Sequence, residues 1–140
     1  MPTKLRILPD IGLCYVRFEG CLRPAESHAA FRAYIRDPDS RPGQKQFVDL
    51  SAVTEFEPDY AALMAMQADM VGFLLAAPLP QTLIAFYAPT RLSQFLAALA
   101  QRPWRGVDPV VTRTCDTELA ALEFLGLGAR PLWEILEETE

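Results

Sequence analysis

Residues that commonly carry chemistry are scarce in this chain. It has one histidine, His28, and three cysteines, Cys14, Cys21 and Cys115. An odd cysteine count without a pairing pattern argues against a disulfide framework. No Cys-x-x-Cys and no Cys/His cluster occurs, which removes the common structural zinc sites. The Ser-x-Gly elbow of nucleophilic hydrolases is missing, and so is the glycine-rich loop that cradles phosphates. Positive charge is short too: 13 Lys and Arg face 18 Asp and Glu, for a net charge of -5. A general nucleic-acid binder needs a basic face, as does a protein that docks on an anionic membrane surface. Neither class is expected. The longest mostly apolar run, Ala61 to Pro80, contains Gln67 and Asp69 and is broken by Pro78, so it makes a poor membrane span. The first residues, Met1-Pro-Thr-Lys-Leu-Arg6, lack a hydrophobic signal region. The setting these absences point to is cytoplasmic and reducing, with no cofactor.

What the chain has in quantity is apolar side chains. They make up 51% of its 140 residues, enough for one domain over 1–140 with a sizeable core. The chain is organised around Gln46-Phe-Val-Asp-Leu-Ser-Ala-Val-Thr-Glu-Phe-Glu-Pro-Asp-Tyr60 and the stretch from Ala61 to Ala77. This reads as a buried strand over 44–50, a loop, and a long helix over 60–77. Pro58 is placed at the first helical position, with Asp59 just beyond it. The helix is rich in Ala, Leu and Met and apolar on nearly all sides, which signals burial on more than one face.

The other elements follow from periodicity and turn chemistry. Lys4 to Leu8 alternates and Leu13 to Glu19 is rich in strand formers; with Pro9-Asp-Ile-Gly12 between them they read as an antiparallel hairpin. Pro24 opens a helix that should stop before Pro38, with His28, Phe31 and Ile35 on one face. Asp37 to Gly43 is a loop by composition. Pro78 and Pro80 close the long helix. Thr82 to Tyr87 is a near-continuous apolar run, the pattern of a strand covered on both faces. Thr90 caps a helix with Leu92, Phe95, Leu96 and Leu99 as its apolar stripe. A last strand spans 107–113, with Pro109 pointing to an edge position or a late start. Asp116 caps a helix through Leu125, stopped by Gly126 and Gly128. Pro131 to Glu138 adds a short helix at the end, in an appended segment over 129–140. The predicted order is ββαβαβαβα, an α/β fold with a mixed, mostly parallel sheet and helices packed on it.

That order, together with Val48-Asp-Leu-Ser-Ala-Val53 and the segment Asp116-x-Glu-x-x-Ala-Leu-x-Phe-Leu-Gly126, resembles the SpoIIAA-like, or STAS, family. The resemblance covers nearly the whole chain. It implies the SpoIIAA-like fold and a role in protein interaction. In the anti-sigma-factor antagonists of that family, a serine at the start of the second helix, within Asp-Ser-Ser-Gly, is phosphorylated by a partner kinase. The matching positions here read Glu57-Pro58-Asp59-Tyr60, without the acceptor serine or the glycine. The phospho-switch therefore does not carry over. Asp59 would supply a fixed negative charge at a helix N-terminus, where an anion is stabilised by roughly 0.3–1 kcal/mol; the plainer expectation is a first-turn residue. The greasy helix over 60–77 is closer to a divergent SpoIIAA-like branch.

Several residues have both a functional and an ordinary reading. Asp49, Glu55, Glu57 and Asp59 would either gather a cation or work as an acid/base pair, or be a solvated loop and its cap. His28 would be a general base or an edge-of-core residue beside Phe31 and Ile35. Cys14 shares a strand face with Val16 and Phe18 and is expected to pack as a small hydrophobe; Cys21 and Cys115, near element ends, would be more exposed. Ser51 and Thr54 are read as loop residues, and Thr90 as a cap that could also help hold an anion. The candidate partner or ligand surface is Glu57, Asp59, Tyr60, Met64, Met66, Met70 and Phe73. Two roles fit it. One is a non-enzymatic regulatory or interaction module, self-associating or meeting a protein partner through helix 60–77. The other is a carrier or sensor holding a small apolar ligand between that helix and the sheet. The alternative to both is a helix roofed by its own chain, through Leu132, Trp133, Ile135 and Leu136.

Overall fold

The computed structural model describes residues 3–41, 43–74, 81–107 and 110–137. Five strands run β1 Thr3–Leu8, β2 Leu13–Leu22, β3 Lys45–Phe56, β4 Thr82–Tyr87 and β5 Val110–Cys115. Five helices run α1 Pro24–Arg36, α2 Tyr60–Leu74, α3 Arg91–Gln101, α4 Glu118–Phe124 and α5 Leu132–Glu137, with 3-10 turns at Pro9–Ile11 and Arg102–Trp104. The sheet order is β1-β2-β3-β4-β5. The opening hairpin is antiparallel and every later pair is parallel. Each crossover steps to the next strand in one direction, and right-handed crossovers then place α1, α2 and α3 on one face. The helices after the last strand cover the other face, where α4 and α5 pack Leu122, Leu125, Leu132 and Ile135 on Phe47 and Ala85.

That placement overturns one expectation. The C-terminal segment does not roof α2, because the sheet lies between them. The extra apolar surface of α2 has to be accounted for on its own side.

Strands β2 and β3 are longer than their sequence suggests. They pair as far as Leu22 with Phe56, through register shifts at Arg17/Glu19 and Gly20/Cys21. Gly20 sits at φ +71°, a conformation glycine adopts without steric cost. Such bulges break period-two alternation, so the end of β3 resembles a loop in sequence. Ser51 and Thr54 are consequently strand residues. Pro58 stands two residues before α2, and Asp59 is its cap: the Ala62 amide donates to Asp59 Oδ1 at 3.1 Å.

Other boundaries hold, with local corrections. Pro24 opens α1. Thr90 caps α3 in a reciprocal capping box with Ser93. Thr117, not Asp116, caps α4, accepting from the Ala120 amide at 3.0 Å. The inward line of α1 runs through Pro24, Ser27, Phe31 and Tyr34, so Ile35 rotates out to solvent. Phe95 also leaves its predicted stripe and is 48% exposed. Cys115 is buried rather than exposed, and Cys14 is buried as expected. Strand β5 starts late, at Val110. Positions 75–77 of the predicted helix, the closing Pro78 and Pro80, Pro109 and Glu138 lie outside the described residues. No helix among the described residues is long and apolar enough to cross a membrane.

Candidate functional site

The face under α1, α2 and α3 is not fully packed. Two rows of side chains cross the sheet in register there: Cys14, Gln46 and Ile84, then Val16, Val48 and Phe86. They floor a cavity of about 140 Å³. Ala30, Phe31 and Tyr34 of α1 form one wall, and Leu96, Leu99 and Ala100 of α3 the opposite one. Leu63, Met66, Gln67 and Met70 of α2 make the roof. Protein interiors normally pack at a density of about 0.74–0.76, yet Val16 and Val48, on central strands, are only half-buried. The cause is the seat of α2. Helix α1 rests on β1, and α3 on β3 and β5, whereas the principal neighbours of α2 are α1 and the 102–104 turn. The helix spans the gap between its neighbours and stands off the strands.

The cavity is apolar in chemistry as well as in shape. No lining side chain is charged. Three of its polar side chains are engaged by the protein: Gln67 Nε2 donates to the Leu99 carbonyl at 3.0 Å, Gln46 Nε2 to the Gln44 carbonyl at 3.4 Å, and the Tyr34 hydroxyl to Gln44 Oε1. Burial, with a lesser effect from the charge of Asp37, pushes the Cys14 thiol up to about 12, so it stays neutral near pH 7. An apolar cavity of roughly 150 Å³ stays dry and takes up benzene or xenon. Two larger depressions, about 480 and 650 Å³, open to solvent beside the 9–12 turn and beside α4, without a comparable apolar wall.

The seven candidate residues divide by position. Met66 and Met70 face the cavity. Phe73 closes one end of the α1–α2 seam, its ring edge-on to Phe31 and Tyr34 with centroids 5.8 Å from each. Tyr60 and Met64 point outward, 49% and 69% exposed. Tyr60 stacks edge-on against Phe56, which also meets Phe95. Glu57 pairs with Arg23 at 3.2 Å, and Asp59 is used as a cap.

The four carboxylates do not assemble. Asp49 lies on the opposite face of the sheet, fully buried, accepting from the Tyr15 hydroxyl at 2.8 Å, Arg17 at 3.1 Å, and the hydroxyl and amide of Ser51 at 2.6 and 3.0 Å. Burial and the neighbouring Asp49 carboxylate both push the Tyr15 phenol up. Among the described residues no group of three or more His, Cys, Asp and Glu is placed to hold a metal ion.

His28 sits on the α1–α2 seam. Its Nε2 lies 2.6 Å from Asp69 Oδ2, and Arg32 approaches the same oxygen at 3.6 Å. Among the described residues its hydrogen-bond partner is this acid, not a hydroxyl or a thiol. The hydrogen bond from His28 is the main cause holding the Asp69 carboxyl below the ordinary aspartate range, and the charges of His28 and Arg32 add to it. A carboxyl lowered on folding contributes stability at and above its ordinary range and loses it as pH falls through the folded value. In His28→Ala the Asp69 midpoint, followed by carboxyl NMR, is therefore expected to rise toward the ordinary aspartate range.

The missed part of the site is its floor and walls. The shared face of Cys14, Val16 and Phe18 is legible from alternation. The gap above that face depends on where α2 comes to rest. Compared with family models the chain matches none, and no curated protein is significantly similar to it.

Proposed function

We propose that this domain binds a small, uncharged, apolar molecule between α2 and the sheet, as a carrier or sensor rather than as an enzyme. The observation that carries this is the cavity of about 140 Å³ under α2, walled by apolar side chains and free of charge. Its size fits a single aromatic ring or a short branched aliphatic. A carboxylate in such a site would lose its hydration without a partner, at a cost of several kcal/mol. Native mass spectrometry of the purified protein tests for a co-purifying ligand, and a thermal-shift series tests the class. Benzene, toluene and indole are expected to raise the melting temperature, as ligands of the folded state must; benzoate is not. No shift with any neutral ring, and no retained ligand, would end the proposal.

A second role rests on a different observation. The outer face of α2 leaves Tyr60 and Met64 exposed beside small residues, and an apolar face of this kind suits a second copy of the chain or another protein. Light scattering across a concentration series tests self-association, with Met64→Glu as the disrupting variant; a strict monomer throughout removes that half. We also propose a SpoIIAA-like fold, which the element order ββαβαβαβα followed by the short helix α5 supports, and a reducing, cytoplasmic setting, which the three free cysteines support.

A further inference from the structure

We infer that the cavity is loaded through the seam between α1 and α2, and that the His28–Asp69 pair is the latch on that seam. The gate presupposes the ligand site proposed above. Three observations define it. Of the three helices over the cavity, α1 and α3 are seated on strands, whereas α2 is held mainly by α1 and the 102–104 turn. Helix α2 is therefore the one of the three with the fewest ties to the strands. On its α3 side it is tied by Gln67 to the Leu99 carbonyl. On its α1 side the closure is the contact of Asp69 with His28, reinforced by Arg32, and one turn further the ring of Phe73 against Phe31 and Tyr34.

Both Phe31 and Tyr34 also line the cavity, so parting this seam widens the way from solvent into the apolar space. The polar half of the seam is partly exposed, with Asp69 and Arg32 more open to solvent than His28, so water can replace the His28–Asp69 hydrogen bond. The apolar half re-closes the gate behind a ligand. Local openings of this kind occur without global unfolding.

Cys14 reports on the gate without any ligand. Its thiol is buried on the cavity floor, whereas Cys115 is buried elsewhere, among the residues packed by α4 and α5, and Cys21 is partly exposed. The experiment measures alkylation by iodoacetamide at fixed pH, resolved by peptide mass spectrometry, in the wild type, Asp69→Asn and His28→Ala. Both variants are expected to speed Cys14 alkylation by about five-fold while Cys115 keeps its wild-type rate. Unchanged Cys14 rates in both variants would overturn the gate. So would a parallel rise at Cys14 and Cys115, which is global loosening. The wild type is alkylated again with benzene near saturation: protection of Cys14 but not Cys21 bears on the ligand site alone. A failed gate with retained benzene protection, and a working gate without it, are thus separate results.

Discussion

Alanine at position 49 is expected to lower the unfolding free energy by about 3–5 kcal/mol, the range for removing one partner of a buried charged pair. Asp49 is fully buried, and its two oxygens accept four hydrogen bonds, from Tyr15, Arg17 and Ser51. Truncation leaves the buried Tyr15 hydroxyl without an acceptor, and an orphaned buried polar group costs about 1–3 kcal/mol by itself. It also leaves the Arg17 guanidinium, one-third exposed, without its inner partner. Asn at the same position keeps one acceptor oxygen and is expected to cost roughly half as much, since two of the four donors then face an amide NH₂. Urea denaturation of both variants measures the difference. Equal, small losses would mean that the network contributes little and that Asp49 is tolerated rather than required.

Filling the cavity is expected to do the opposite to stability and to remove ligand binding. In Ala30→Phe a ring enters from the inward face of α1, beside Phe31. Cavities in cores cost about 24 cal/mol per Å³; for about 140 Å³ that sets an upper bound near ~3 kcal/mol on the stability gained by complete filling. Strain from imperfect fit takes back part of it, since overpacking costs about 1–3 kcal/mol. The net expectation is a protein at least as stable as the wild type, with neutral-ring binding weakened by about 100-fold or more. Equilibrium unfolding and a benzene titration read the two effects separately. A marked loss of stability would show that the space is already filled by side-chain rearrangement.

How far the sequence foretells this arrangement differs from residue to residue. Cys14, Val16 and Phe18 share a face because strand side chains alternate, and that is visible in the chain itself. The all-round apolarity of α2 is equally visible, but the burial on more than one face expected from it fails: the outer face leaves Tyr60 and Met64 exposed. The seat of α2 is not visible in the sequence. The helix rests on α1 and the 102–104 turn rather than on the strands, which no local pattern encodes. Two of the donors to Asp49 were out of sight for a similar reason: Arg17 and Tyr15 are 32 and 34 residues away along the chain. Seen alone, Asp49 groups with Glu55, Glu57 and Asp59 as one acidic end. The fold sends Asp49 to the far face, pairs Glu57 with Arg23 and uses Asp59 as a cap. The late stretch of β3 was obscured by its own bulges, where alternation fails for a geometric reason.

The most direct measurement is a benzene titration followed on the methionine methyl resonances. Helix α2 carries Met66 and Met70 toward the cavity and Met64 toward solvent, so one helix holds both the probes and their control. Occupation of the space beneath α2 predicts saturable ring-current shifts at Met66 and Met70 with Met64 unmoved. Silent Met66 and Met70 resonances up to the solubility of benzene, or non-saturating drift shared by all three, would contradict a ligand site between α2 and the sheet.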